Sequence, residues 1–345
     1  MKNTAAVLTA LKTLEMKEVP MPALRRGEVL VKMQAVGVCG SDVHYYQHGR
    51  IGDFNVEFPF ILGHECAGVV ADVGAGVTHL KAGDRVCLEP GVPCGKCGFC
   101  LSGRYNLCPD VVFLATPPYD GCLMEYIAHP AEWVFKIADN MSFEEGALVE
   151  PLAVGINAAK TGGVSLGGSV LIYGAGCIGL MSLLAAKAYG ASMVFVADVL
   201  DKRLRTAEAL GGIPLNVTQV NVPEEIMKAT GGRGADVVLD CAGASETVIG
   251  SINACGAGGT IVIVGLAADK LNGVPLGPIS AKELVITSIF RYKNLYPTAI
   301  EAIAGGRISV KEIVSNLYRF EDTPLAFAET LENIKDVVKS VITYE

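Results

Sequence analysis

The chain has 345 residues, 51% of them hydrophobic and 19% charged, with 40 glycines; it is too apolar for a disordered tail and too long for one small module, since domains usually run to about 100–200 residues. Its 28 Lys+Arg against 36 Asp+Glu leave a formal charge of −8 with no long basic run, which argues against nucleic acid as a partner. Eleven cysteines, an odd number, and an N-terminus without an uninterrupted apolar run or a small-residue cleavage site point to a reduced, cytoplasmic protein.

Up to about residue 152, short β-like runs (Glu28-Val29-Leu30-Val31-Lys32-Met33 and Ala67-Gly68-Val69-Val70) alternate with Gly/Pro turns. This region holds eight of the eleven cysteines and all five histidines. Cys39 in Val38-Cys39-Gly40-Ser41-Asp42, and His64-Glu65 in Gly63-His64-Glu65-Cys66-Ala67-Gly68, offer a thiolate, an imidazole and a carboxylate. Further on, Cys94, Cys97, Cys100 and Cys108 fall within fifteen positions of a polar loop rich in glycine and proline. Four thiolates at this spacing can close a tetrahedron around Zn2+. An iron–sulfur cluster is the rival, because Cys-x2-Cys-x2-Cys opens a ferredoxin motif and Pro109 follows Cys108, but the x7 gap before Cys108 disfavours it. A closed four-thiolate site has no open position, so chemistry needs a second centre. Cys39, His64 and Glu65 are its candidate ligands, with Glu150 in Val149-Glu150-Pro151-Leu152 as a further carboxylate at the domain boundary.

From about residue 153 to 290, apolar strands alternate with helix-length segments: a strand at 170–173, a helix at about 177–189, then strands at 193–197, 236–240 and 260–264. Strand and helix alternating at this spacing imply a doubly wound parallel sheet with right-handed crossovers. The uncharged stretches 161–186 and 247–268 break into short β-branched runs bordered by glycines, so neither reads as a membrane span. Gly174-Ala175-Gly176-Cys177-Ile178-Gly179 fits G-x-G-x-x-G between a strand and a helix, and a second strand ends at Asp198, as a nucleotide-binding βαβ unit requires. Gly174 would make the tight turn, Gly176 would let the backbone approach a pyrophosphate, and Gly179 would pack helix on strand. A carboxylate at 198 accepts hydrogen bonds from ribose hydroxyls and repels a 2′-phosphate, favouring NAD, although Lys202 and Arg203 leave room for NADP. Gly256-Ala257-Gly258-Gly259 precedes a strand and reads as a turn. Beyond about 291, helical patterns at 297–304 and 322–333 lead to a β-like 337–344 that rejoins the first domain.

Together these features resemble the zinc-dependent medium-chain dehydrogenase/reductase family over essentially the whole chain. The Gly63-His64-Glu65 block, the four-cysteine lobe and the Gly174 loop occur in that family's order. The sequence is more narrowly similar to the polyol branch, sorbitol (L-iditol) and xylitol dehydrogenases, in Cys39-Gly40-Ser41-Asp42-Val43-His44-Tyr45, Ala115-Thr116-Pro117-Pro118, Val149-Glu150-Pro151-Leu152-Ala153 and Phe290-Arg291-Tyr292. Where alcohol dehydrogenases of the family carry a second cysteine ligand, this chain offers glutamate. Unlike some animal sorbitol dehydrogenases, it retains the four-thiolate site.

The resemblance implies an α/β chain with a GroES-like, mainly β catalytic domain (1–152, structural-zinc lobe about 91–110), a Rossmann cofactor domain (153–290) and a return to the catalytic domain (291–345). It implies one catalytic zinc on Cys39, His64 and Glu65, with Glu150 in contact directly or through water, and one structural zinc on Cys94, Cys97, Cys100 and Cys108. Tyr45, Phe113, Thr116, Glu150, Arg291 and Tyr292 would line a polyol pocket, while Ser41 and His44 relay a proton. Ile178, Arg203, Val264, Gly265, Leu266 and Phe290 would join Gly174, Gly176, Gly179 and Asp198 in binding NAD. The expected activity is reversible NAD- and zinc-dependent oxidation of a secondary polyol hydroxyl to a ketose, in a cytoplasmic homotetramer with no nucleic-acid or membrane partner. A threonine or short-chain secondary alcohol dehydrogenase on the same scaffold is the enzymatic alternative, and a non-catalytic NAD- and zinc-binding protein is the remaining one.

Overall fold

The computed structural model describes residues 2–265, 273–333 and 335–344. It divides into two compact units, Met1–Glu150 with Tyr296–Gly306 and Val314–Glu345, and Pro151–Leu295 with Arg307–Ile313. Residues 291–295 and 307–313, which lie within the expected returning tail, group with the second unit. In chain order the main strands are Glu28–Val38 (β1), Glu65–Val73 (β2), Arg85–Leu88 (β3), Tyr126–Pro130 (β4), Val134–Lys136 (β5), Ser169–Tyr173 (β6), Met193–Asp198 (β7), Ile213–Asn216 (β8), Ala235–Asp240 (β9), Cys255–Ile263 (β10), Val285–Ser288 (β11), Asn316–Arg319 (β12) and Ser340–Thr343 (β13). Three helices matter below: Gly40–His48 (α1), Val149–Gly162 (α2) and Cys177–Ala188 (α3).

The first unit is built on a seven-stranded sheet ordered β5-β3-β2-β1-β13-β12, with β4 also pairing to β1. Its first strand alternates as a half-buried strand should: Val29, Val31 and Met33 are fully buried while Lys32 is exposed, and each such side chain contributes about 1.5–3 kcal/mol by leaving water. From Ala35 onward both faces are covered. Here β1 is flanked by two partners at once, Gly37 lying opposite Glu65 of β2 and Val341 of β13. Three chain segments far apart in sequence therefore converge where β1 ends at Val38.

The second unit holds a six-stranded, wholly parallel sheet ordered β8-β7-β6-β9-β10-β11. The chain starts in the middle with β6, all five of whose residues are buried, runs to one edge, and then restarts at β9. That reversal opens a crevice at the carboxyl ends of β6 and β9, where doubly wound sheets bind nucleotides. One expectation is corrected. Gly256, Gly258 and Gly259 lie inside β10 instead of forming a turn before it, at a register slip opposite Ala235 and Val237. A β-carbon at Gly256 would stand 2.4 Å from the Arg233 carbonyl, so glycine lets the irregular strand start press against its neighbour. The final strand is also shorter than expected, 340–343. Among the described residues no helix is long and apolar enough to cross a membrane.

Candidate active site

Cys39 sits at the turn from β1 into α1, in extended backbone immediately before the helix. Asp42, one turn on, accepts hydrogen bonds from the backbone N–H groups of Cys39 and Gly63, both at 3.0 Å. The same carboxylate stands 3.5 Å from His64 Nδ1. Asp42 thus ties the Cys39 turn to the His64 segment and orients the imidazole, leaving Nε2 as the nitrogen for a ligand. Burial opposes charge on both groups. It is outweighed in Asp42, held below the ordinary carboxylate range by His64 and the two N–H donors, and in His64, held well above 6.5 by Asp42 and Cys39.

A Cys39, a His64 and a Glu65 donor atom all lie within 4.8 Å of one another. Glu65 is also paired with Lys339, whose ammonium reaches both carboxylate oxygens at 2.8 Å and the Val38 carbonyl at 3.0 Å. The carboxylate fits there because residue 37 is glycine: a β-carbon would stand 2.1 Å from Glu65 Oε2. The set of soft thiolate, imidazole and carboxylate suits a zinc ion with a remaining open position. Neither Asp42 nor Lys339 was assigned a role from sequence. Asp42 carried a local signal, an acid three residues after a helix cap; Lys339 carried a weaker one, a lone charge leading into the apolar run Ser340-Val341-Ile342.

Around this cluster, the Phe113 ring lies 5.7 Å from the His64 ring, and Tyr45 is buried on α1. Ser41 is half-buried in the first turn of α1, and His44, one turn from it, is exposed with its ring 4.7 Å from that of His48. Burial, then His48 and Arg50, keep the His44 pKa below 6.5. Thr116 follows Ala115, whose φ of 54° is left-handed, an uncommon and strained conformation for a residue with a side chain. Glu150 is buried in the first turn of α2; the three-donor group does not include it.

Near Glu150 is Glu89, also buried, whose carboxylate accepts a 2.7 Å hydrogen bond from the Tyr105 hydroxyl. Burial pushes the Glu89 pKa up to about 7; Tyr105 opposes the rise and Glu150 adds to it. A raised carboxyl favours folding below its unfolded pKa, and that stability is lost as pH rises through about 7. Glu89→Gln keeps the acceptor for Tyr105 and removes the ionisation. It is expected to melt above the parent at pH 8, by up to roughly 3 kcal/mol in stability, with the gap closing by pH 5. An offset that is the same at both pH values in thermal denaturation would contradict this.

The four thiols of the lobe also converge, their sulfurs all within 4.8 Å. Cys97 Sγ is 3.4 Å from Cys100 Sγ and Cys94 Sγ is 3.9 Å from it, bracketing the roughly 3.8 Å between sulfurs that Zn–S bonds of about 2.3 Å impose in a tetrahedron. The N–H groups of Lys96 and Cys97 bring the Cys94 pKa down to about 7, whereas burial and the neighbouring thiols push Cys100 up to about 12. Without a cation the four cannot all ionise; a divalent ion removes that conflict.

In the second unit, Gly174 has φ 95° and turns the chain from β6 toward α3. A β-carbon at Gly179 would stand 1.7 Å from the Gly174 carbonyl, so the helix start packs directly on the turn. Asp198 ends β7 and accepts hydrogen bonds from Ala175 N–H at 2.7 Å and Leu200 N–H at 2.9 Å. Its carboxylate is thereby fixed beside the glycine loop. The Arg203 guanidinium approaches Gly176, and Ile178 lies in the first turn of α3. Val264 and Gly265 both donate to the Asp240 carbonyl, while the Asp240 carboxylate accepts from Ala242, Gly243 and Thr247. Asp240 thus organises the facing loop after β9, a role without a sequence motif. Leu266 lies outside the described residues. Arg291, with φ 56°, places its guanidinium 4.8 Å from the Phe290 ring, and its carbonyl accepts from Asn157; Tyr292 is buried.

Residues 25–139 match the alcohol dehydrogenase GroES-like domain and residues 177–305 the zinc-binding dehydrogenase model. The sorbitol dehydrogenase of Bacillus subtilis (strain 168) is 43% identical over 341 residues, 98% of this chain and 96% of that protein. The chain belongs to the zinc-binding dehydrogenase family. Two solved relatives share its architecture from end to end. An Escherichia coli oxidoreductase/dehydrogenase of unknown specificity superposes with a TM-score of 0.96 at 43% identity, covering 100% of both chains. A short-chain alcohol dehydrogenase of Escherichia coli CFT073, complexed with NADH, has a TM-score of 0.91 at 28% identity over 99% of this chain and 100% of that one. As a member of this family the chain is an oxidoreductase acting on CH–OH groups, and its parallel six-stranded sheet and GroES-like domain are those the family resemblance implied.

Proposed function

We propose that this dehydrogenase oxidises a secondary hydroxyl of a polyol, xylitol or sorbitol, to the ketose, reversibly, with NAD as hydride acceptor. Three donors gathered apart from a closed four-thiol set carry the assignment: Cys39, His64 and Glu65 would hold a catalytic zinc with an open position, and Cys94, Cys97, Cys100 and Cys108 a structural one. The sorbitol dehydrogenase at 43% identity supports a sugar alcohol as substrate.

Bound zinc supplies Lewis acidity at the substrate oxygen, and bound NAD supplies the hydride acceptor. Asp42 fixes the ring of His64, and Ser41 with His44 carries the departing proton one helical turn outward. Because His44 is held below 6.5 it is neutral near pH 7 and free to accept that proton. Phe113 covers one side of His64 and excludes water. Tyr45, Thr116, Glu150, Arg291 and Tyr292 would give the pocket polar handles for neighbouring hydroxyls, with Glu150 touching the metal directly or through water. In the second unit the N–H groups at the start of α3 would bind the pyrophosphate, with Gly174, Gly176, Ile178 and Gly179 shaping the approach. Asp198 and Arg203 would hold the adenosine ribose, and Val264, Gly265 and Phe290 the nicotinamide half. Metal and substrate chemistry thus belongs to 1–152 with 291–345, and cofactor binding to 153–290.

We further assign a homotetramer in the cytoplasm. The sheet of the second unit ends at β11, an edge strand with Val285 and Ile286 exposed, which fits pairing with a second copy. Among the described residues none of the eleven cysteines is joined in a disulfide, which suits a reducing compartment. The activity is tested by following NAD and NADP reduction with xylitol, sorbitol, L-threonine and 2-butanol on protein of known zinc content. Turnover with the two polyols and NAD is expected to dominate. Preference for threonine or 2-butanol would reassign the substrate, and NADH binding without turnover of any alcohol would make the chain a sensor or store.

A further inference from the structure

We infer that Lys339 is a positioning residue for the catalytic metal: its buried ammonium clamps together the two strand ends that present Cys39 and His64-Glu65, so the ligand set is assembled before an ion binds. This rests on the metal assignment made above for those three residues.

Lys339 and Glu65 are among the least exposed charged residues in the chain, at 3% and 1%. A lysine is kept at such depth only where its charge is paired and hydrogen-bonded. Its acceptors include the two oxygens of Glu65 and the carbonyl of Val38. Each contact falls one residue from, or on, a metal donor: Val38 precedes Cys39, and Glu65 follows His64. The lysine comes from the segment just before β13, whose register against β1 pairs Ser340 with Val38 and Val341 with Gly37. The segment before β13 therefore completes a site whose three grouped donors lie in the first 65 residues. Asp42 makes the matching clamp on the other flank, joining the N–H groups of Cys39 and Gly63. An anionic brace on the His64 side and a cationic one on the Glu65 side leave the three donors little freedom, which lowers the ordering cost of binding an ion.

Removing a group that orients metal ligands typically weakens the metal by about 10–100-fold. The test measures zinc per chain, and zinc affinity against a competing chelator, on full-length parent, Lys339→Met, Lys339→Arg and His64→Ala proteins. The parent is expected to bind two zinc ions and His64→Ala one. Lys339→Met should bind its second zinc about 10–100-fold more weakly while the four-thiolate lobe keeps its own, which also reports that the unit is folded. Lys339→Arg should regain most of the loss, which a general packing defect would not predict. Parental affinity for both ions in Lys339→Met overturns the inference and leaves the metal assignment standing; two zinc ions in His64→Ala overturn the assignment itself. If Lys339→Met does not fold, Glu65→Gln is compared with the double variant Glu65→Gln/Lys339→Met, which buries no unpaired charge. Because a glutamine at position 65 still accepts from Lys339 and the Val38 contact remains, weaker zinc binding in the double variant than in Glu65→Gln supports the clamp, and equal affinity in the two contradicts it.

Discussion

His64→Ala is expected to lower polyol-dependent NAD reduction by at least about 10³-fold while the chain stays folded. Zinc lowers the pKa of a bound water from about 16 to about 7, which corresponds to roughly 12 kcal/mol. If only a third of that electrostatic advantage reaches the reacting hydroxyl, about 4 kcal/mol, its loss is about 10³-fold in rate. A histidine acting as a simple base contributes about 10²–10⁴-fold, so rate alone does not separate the two roles. Metal content does. His64 is buried against Asp42 and grouped with Cys39 and Glu65, so its removal takes the ion as well as the imidazole. Steady-state kinetics beside zinc analysis checks this, and near-normal turnover in a folded variant would remove His64 from the mechanism.

Asp198→Ala is expected to reduce kcat/KM for NAD by about 10²–10³-fold and to narrow the preference over NADP. The Asp198 carboxylate is fixed by Ala175 and Leu200 N–H groups, and each oxygen keeps a lone pair for a ribose hydroxyl. Hydrogen bonds to a charged group are worth about 1.5–3 kcal/mol each, so losing two of them at the low end gives this range. The same change removes the like charge that a 2′-phosphate would meet, while the Arg203 guanidinium near Gly176 remains to attract it. Parallel kinetics with NAD and NADP measures the shift. An unchanged ratio of the two would mean that Asp198 braces the glycine loop and takes no part in cofactor choice.

How much of this was legible in the sequence depended on distance along the chain. The glycine loop and the four-cysteine lobe are contiguous motifs, and each is a cluster in space for the same reason that it is a pattern in sequence. Cys39, His64 and Glu65 were legible as a set because a 27-residue span carries all three, and the antiparallel register of β1 with β2 brings its ends together. Lys339 was not, because it meets Glu65 across 274 residues and nothing local distinguishes a clamping lysine from one on the edge of a strand. Asp42 was visible as a helix-capping acid, yet its second bond, to Gly63, depends on tertiary placement. The glycines at 256–259 misled because glycine marks both turns and close backbone approaches, and the Arg233 carbonyl that excludes a β-carbon at Gly256 comes from the segment just before the neighbouring strand β9.

Anomalous diffraction at the zinc edge, on crystals grown with zinc and NAD, tests the metal centre most directly. Two peaks per chain are expected, one enclosed by Cys94, Cys97, Cys100 and Cys108, the other about 2.0–2.3 Å from Cys39 Sγ and His64 Nε2. A single peak in the lobe, or a second one away from Cys39 and His64, would contradict the account.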